Sequence, residues 1–506
     1  MNHWLIAPIL IPLIGGFLQV FVGYAPLSLR RTLGLVTSGL LLVSAFFLLM
    51  LADDGSYRVY AFGNWAPPFG IVLVLDRLSA LMVFVTALLG LFCHLYSLGR
   101  TDVGSRQFHA LFLFQLLGLN IAFLTGDLFN LFVAFEVLLI ASYGLLLHGD
   151  GTKRTVPGFH YVVLNLIGSA MFLIAVGMIY SVTGTLNMAD LAVIVPTLAA
   201  ENLPLVKAGG MILLVVFALK AALLPLTFWL PRAYASATAP VAALFAVMTK
   251  VGVYAIIRVY TLIFGEDAGA LAHLGMDWVF PLALLTMVLG VVGMIGSGGL
   301  RTLVAWQVVV SVGTILAAFS LLNEAGLSSA LFYMVHTTWV AAGLFLVVDM
   351  IAAQRGAASD QIVTAPRMPN RTFISVMFML GAVSAAGLPP LSGFFAKLLI
   401  MNAATPGVDM AALWSVILLA GFMSLVAYSR AGSIVFWRNV QGHIDNPEKL
   451  TFPHTVGAGA LIALSIAIVV VAGPLSEYTD ATAEQLRDTS AYTSILDAKM
   501  VGEDES

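Results

Sequence analysis

Residues 209–224 read GGMILLVVFALKAALL, and Pro225 follows at once. Lys220 lies in the middle of this membrane-length apolar run, with no charged residue after it until Arg232. A lysine at the centre of such a segment costs about 3 kcal/mol or more. A proline there breaks the helix and frees backbone carbonyls that can face a polar cavity. Lys250, Lys397 and Glu136 occupy similar positions in other apolar segments. Together the four read as a path for charge through a membrane.

The bulk numbers agree. The 506 residues are 60% hydrophobic and only 10% charged, with a mean hydropathy of +1.00. A soluble domain carries about 25% charged residues, so this is an integral membrane protein in contact with a lipid bilayer. A net charge of -3 gives no reason to expect a nucleic-acid partner. The lone cysteine, Cys93, excludes an intrachain disulfide and any cysteine-based metal cluster. The start, MNHWLIAPILIPLIGG, lacks a basic region and a small-residue cleavage site, and reads as a first spanning helix. There is no P-loop, no GxGxxG after a strand and no facing histidine pair at haem spacing. No cofactor is expected; energy must come from an ion gradient or a partner.

Apolar segments of roughly 20 residues predict an all-α polytopic fold of about fourteen spans. They run near 4–23, 32–52, 76–98, 108–125, 128–148, 158–182, 206–235, 240–264, 278–297, 301–322, 326–352, 372–403, 411–436 and 454–473. Spans seven and twelve are over-long and carry breakers: Pro225 and Pro231 in one, GLPPLSG at 387–393 in the other. Interrupted helices in two separated places point to inverted repeats. Five-helix repeats near 108–264 and 278–436 fit that placement, inside one membrane domain, 1–473, with a polar tail at 474–506. Residues 57–76, YRVYAFGNWAPPFGIVLVLD, read as a hairpin around a Pro-Pro turn. Residues 187–202, NMADLAVIVPTLAAEN, read as an interfacial helix, limited by Pro196.

Alternating loops hold Arg30, Arg31, Arg100, Arg106, Lys153, Arg154, Arg232, Arg301, Arg355, Arg367, Arg371, Arg438 and Lys449, 13 of the 23 Lys and Arg. The opposite loops are acidic or neutral (DDGS at 53–56, GEDAG at 265–269, NEAG at 323–326), as is the tail ending GEDES. The positive-inside rule then puts both termini outside.

Each candidate has a plainer reading. Glu136 is a proton-relay or lysine-pairing carboxylate, or a structural one. Lys220 has about fourteen residues of span before it, too many for it to snorkel to the interface, and a carboxylate that approaches and withdraws would switch its hold on a proton. Lys250 has Gly252 near it, admitting water, with Ser236, Thr238 and Thr249 supplying hydroxyls. Lys397 is the counterpart of Lys220 in the second interrupted span. His336, in FYMVHTTWVAAG at 332–343, has a side chain suited to proton exchange, although a lone histidine is often structural. Asp349 reads as interfacial, Asp127 as a helix N-cap, and Arg258 and His94 as structural or snorkelling.

With these residues placed, the chain resembles the antiporter-like subunits shared by respiratory complex I, membrane-bound hydrogenases and Mrp-type cation/proton antiporters. The stretches that carry the likeness are FALKAALLPLTFWLPRAYASATAPVAALFAVMTKVGVYAIIR at 217–258, the helix of Glu136, and GLPPLSGFFAK at 387–397. Within the group, DLFNLFVAFEVLLIASYGLLL at 127–147 and AEQLRDTSAYTSIL at 483–496 are most similar to Mrp D subunits. The resemblance implies a glutamate–lysine pair in Glu136 and Lys220, a linking lysine in Lys250, an axis histidine in His336 and a terminal lysine in Lys397. Complex I subunits often add a lysine after that histidine; residues 337–346 contain none. The implied activity is proton movement in exchange for sodium or another monovalent cation, by a bacterial inner-membrane subunit with other hydrophobic subunits as partners. The alternatives are a proton-pumping subunit of a redox complex, or a structural subunit whose polar residues only hold helices together.

Overall fold

The structure, a computed structural model, describes residues 3–65, 70–149, 152–444 and 447–496. Helices α1 (Ala7–Phe21) and α2 (Leu27–Ala52) open the chain, followed by strands β1 (Arg58–Ala61) and β2 (Val72–Leu75). Next come α3 (Arg77–Ser97), α4 (Phe108–Leu124), α5 (Leu128–Leu146), α6 (Thr152–Thr183) and the short α7 (Met188–Ile194). The centre is built from α8 (Leu203–Ala221), α9 (Trp229–Ser236), α10 (Ala239–Leu262), α11 (Met276–Gly296), α12 (Leu300–Phe319) and α13 (Glu324–Gln354). The chain continues through α14 (Arg371–Ala386), α15 (Ser392–Ala403), α16 (Val408–Gly432), α17 (Phe452–Val470), α18 (Ala472–Arg487) and α19 (Thr489–Thr493).

Among the described residues, twelve helices are long and apolar enough to cross a membrane. The two remaining expected spans are α4, at 17 residues, and the interrupted pair α14–α15. The apolar windows of α10 and α13 are buried along their whole length, so lipid cannot be what satisfies Lys250 or His336. In contrast, α1, α2 and α16 expose large apolar side chains such as Phe17, Val43 and Phe422 on the rim.

Both predicted breaks are present. At the first, Ala222 turns left-handed (φ +61°) and the freed amide of Leu224 donates to Thr286 Oγ1 at 2.9 Å. At the second, Gly387 (φ +84°) closes α14, its amide donating to Val383 O at 3.1 Å. Glycine fits this left-handed cap because it has no Cβ to clash.

The hairpin forms with Arg58 opposite Leu75 and Ala61 opposite Val72; its Pro-Pro turn lies outside the described residues. The interfacial helix is shorter than expected: α7 passes into a 3₁₀ turn, Val195–Thr197, where Pro196 sits, and Met188 and Leu191 are buried. The polar tail is structured through Leu496, as α18 and α19 folded across one end of the bundle, while its last ten residues lie outside the described part. On that face Tyr57 meets Tyr492 (ring centroids 5.2 Å) and His3 meets Tyr60 (6.0 Å). The N-terminal end, the hairpin and the final helices therefore share one face, opposite the arginine-rich loops.

Candidate functional site

Lys220 lies in the last turn of α8, and its ammonium reaches α6. Nζ donates to Asn165 Oδ1 at 3.0 Å and to Asn165 O at 3.5 Å, with the Phe135 ring centroid at 5.7 Å. Asn165 is itself fixed by donating from Nδ2 to Tyr161 O at 2.8 Å. Glu136, on α5, meets the same helix one turn further on, where Ser169 donates its hydroxyl to Oε1. The expected direct Glu136–Lys220 contact is therefore absent: no ion pair joins them among the described residues, and each bonds α6 instead, Lys220 at Asn165 and Glu136 at Ser169. Helices α5 and α8 do meet beside the pair, where Phe135 stacks on Phe217 with ring centroids 6.4 Å apart.

Lys250 is fully buried on α10 and donates to Ser311 Oγ of α12 at 2.9 Å. Ser311 gives its own proton to Val308 O at 2.6 Å, leaving a lone pair for the ammonium. Gly252 serves packing rather than water entry. A Cβ there would stand 2.5 Å from Ala221 N, so the glycine lets α10 press against the end of α8. Thr249 turns to its own helix at Ala246 O (3.3 Å) and Ser236 to Ala233 O (2.9 Å). Thr238 Oγ1 is buried without a protein partner among the described residues.

His336 Nδ1 lies 2.8 Å from Ser392 Oγ at the start of α15, and Ser392 is 3.5 Å from Ser384 Oγ. The histidine thus links the buried middle of α13 to the second break. Lys397, in the first half of α15, folds back across that break and donates to Ala386 O at 2.7 Å. The likeness to Lys220 holds with a difference. Lys220 belongs to the helix half before its break, whereas Lys397 follows its break and reaches the carbonyl end of α14. A cavity of about 370 Å³ opens beside Lys397, between Gly387, Met401 and Phe422.

The remaining candidates are tied elsewhere. Asp127 caps α5, accepting from Asn130 N at 2.8 Å. Asp349 is buried between Arg301 (2.9 Å) and Arg100 (3.3 Å) and accepts from Tyr96 Oη at 2.9 Å. Arg258 does not snorkel. It forms a buried two-point pair with Asp76 (2.5 and 2.8 Å), the cap of α3. His94 joins a buried chain: Ser38 Oγ to His94 Nδ1 at 2.8 Å, then His94 Nε2 to His109 Nδ1 at 2.8 Å. His109 Nε2 lies 3.5 Å from Asp102, which Arg31 grips at 2.6 and 2.8 Å. Burial opposes charge on Asp102, but His109 and Arg31 outweigh it and hold its carboxyl well below the usual range.

Sequence reasoning missed Asn165, Ser169, Ser311 and Ser392. The three serines carry no signal, because a hydroxyl in an apolar helix commonly bonds its own backbone. Asn165, an amide inside YVVLNLIGSAMF, was the one that could have been found.

The comparisons match this architecture. The family model for the transmembrane region of NADH:quinone oxidoreductase and Mrp antiporters matches residues 125–429, which hold both breaks and Glu136, Lys220, Lys250, His336 and Lys397. The chain belongs to this family. It is 40% identical to the D-type component of a probable K(+)/H(+) antiporter of Rhizobium meliloti strain 1021, over 96% of each chain. It is 37% identical to the D-type component of an Na(+)/H(+) antiporter of Alkalihalophilus pseudofirmus, over 97% of this chain and 99% of that one. A chain of the Mrp complex from Dietzia sp. DQ12-45-1b superposes with a TM-score of 0.86 at 28% identity, covering 98% of this chain and all of the other.

Proposed function

We propose that this chain is the proton-translocating subunit of a multisubunit monovalent-cation/proton antiporter, a transporter subunit rather than an enzyme. The observation that carries the reading is the company of its buried lysines. Lys220, Lys250 and Lys397 are all buried, and their hydrogen-bond partners are an amide, a serine and backbone carbonyls. A permanent charge in such surroundings is costly and is normally paired. Side chains that can give up a proton and regain it escape that cost, which is what a relay requires.

In this reading a proton is held in the region of Glu136, Asn165 and Lys220, passes to Lys250, crosses at His336 and leaves through Lys397. Glu136 acts on Lys220 across one turn of α6, so a charge change at either alters the other without a contact being made or broken. One break falls in each of two repeats, 108–264 and 278–436, related by inversion, within a membrane domain spanning 1–473. The basic face is cytoplasmic and both termini lie outside, in a bacterial inner membrane. Other hydrophobic subunits complete the complex, in keeping with its relatives, which are named as components of antiporters. Those names give potassium for one relative and sodium for another; the exchanged ion here is a monovalent cation.

Cation-driven proton movement in everted vesicles tests the reading. Lys220→Ala and Glu136→Ala complexes should assemble and lose antiport. Wild-type rates in assembled mutants would overturn it.

A further inference from the structure

At the basic face, beside the first break, lies a cavity of about 430 Å³ that the relay does not use. Phe228, Pro231, Arg232 and Ala235 line one wall, and Thr302 and Trp306 of α12 line the other. Phe228 is 57% exposed, an aromatic at the lip of a site that opens outward from the bundle. Arg232 is exposed and has no hydrogen bond or ion pair with any described residue. Its basic neighbours are engaged: Arg154 donates to Ser236 O at 3.0 Å, and Arg301 pairs with Asp349. The Thr302 hydroxyl also has no partner among the described residues. The nearby carboxylate, Asp360, accepts from Arg301 N at 3.2 Å, which occupies that amide in the first turn of α12.

We propose that this cavity binds an anionic phospholipid, with the phosphodiester on Arg232 and Thr302 and an acyl chain against Phe228 and Trp306. The site offers one unpaired cation and one free hydroxyl above apolar and aromatic walls. It lies at the membrane edge of a face rich in arginine, the depth at which acidic headgroups attract basic side chains. A free phosphate would leave the aromatic walls wet; a lipid covers both parts.

The position has a consequence for the break. Arg232 belongs to α9, whose Trp229 donates its indole N–H to Leu219 O at 3.1 Å, the carbonyl next to Lys220. A headgroup that holds Arg232 therefore steadies the short helix that closes the end of α8.

The test uses the assembled complex in vesicles that contain lipids brominated on the acyl chains, either phosphatidylglycerol or phosphatidylcholine. The Trp306 contribution is the fluorescence difference between wild type and Trp306→Phe. Expected is a preference of about fivefold for the anionic lipid in quenching that contribution, as one surface cation supplies. Arg232→Gln, an exposed change that leaves packing intact, should abolish the preference while quenching persists, and Arg232→Lys should keep most of it. Excess inorganic phosphate should not displace the lipid. Equal quenching by both headgroups, no quenching by either, or relief by phosphate would each overturn the proposal. None of these readouts depends on antiport.

Discussion

Asn165 holds Lys220 with a neutral oxygen, and that neutrality can be changed in either direction. In Asn165→Leu the ammonium loses an acceptor; a hydrogen bond to a charged group is worth about 1.5–3 kcal/mol, so antiport should fall roughly tenfold or more. Asn165→Asp supplies a fixed counter-charge instead. It should leave the complex assembled yet slow transport, because a lysine locked in an ion pair cannot release its proton. Transport assays on both variants separate the two effects, and equal, wild-type rates would remove Asn165 from the path. Ser311→Ala strips Lys250 of its hydroxyl partner and should also reduce antiport in vesicles, with subunit content unchanged on blots. The lysines were legible in the sequence because a charge inside an apolar run has no ordinary explanation. Their partners were not, because whether Ser311 or Ser392 serves a neighbour depends on which helix it faces. The same reasoning explains why the Glu136–Lys220 contact was overdrawn. Both residues were placed in their spans, but which partner each side chain meets on a neighbouring helix has no signature in sequence.

Helix interruptions were easier to read than helix contacts. Prolines and glycines impose local backbone geometry, so Pro225 and the GLPP stretch announced both breaks. Gly252 was misread, since a glycine that admits water and one that admits a backbone look alike in sequence. Gly252→Val would drive a branched side chain into Ala221 N, where no flexible atom can yield. Overpacking of this kind costs about 1–3 kcal/mol, which should appear as a lowered Tm of the purified complex. Gly387→Ala is milder in volume but stands at φ +84°, with its Cβ 2.6 Å from Lys397 Cδ. It should disturb transport more than thermal stability, and a Tm loss with unaltered transport would contradict that.

Across the whole molecule, one buried pair ties distant parts of the chain together. Arg258 of α10 grips Asp76 at the start of α3, with the Tyr492 ring 5.7 Å away. Removing one member of a buried pair strands the other, at about 3–5 kcal/mol. Arg258→Ala should therefore lower the Tm sharply, and adding Asp76→Ala should restore much of the loss. The spacing of apolar runs was enough to mark out the spans. It could not reveal the Arg258–Asp76 pair, because the two residues are separated by 182 positions and each looks like an ordinary membrane-edge charge.

The tail that lies across the face opposite the arginine-rich loops also bears on how the protein is made. Gln485 accepts from the Arg77 amide, donates to Gly55 O and receives the Tyr57 hydroxyl on its carbonyl. Those partners were synthesised more than four hundred residues earlier. During translation, then, the hairpin and the head of α3 wait with these groups in water until the final segment leaves the ribosome. Insertion runs forward along the chain, but this surface closes last, onto its oldest part. A nascent chain stalled before residue 472 should leave a cysteine placed at Tyr57 open to a water-soluble thiol reagent, and release of the full chain should bury it.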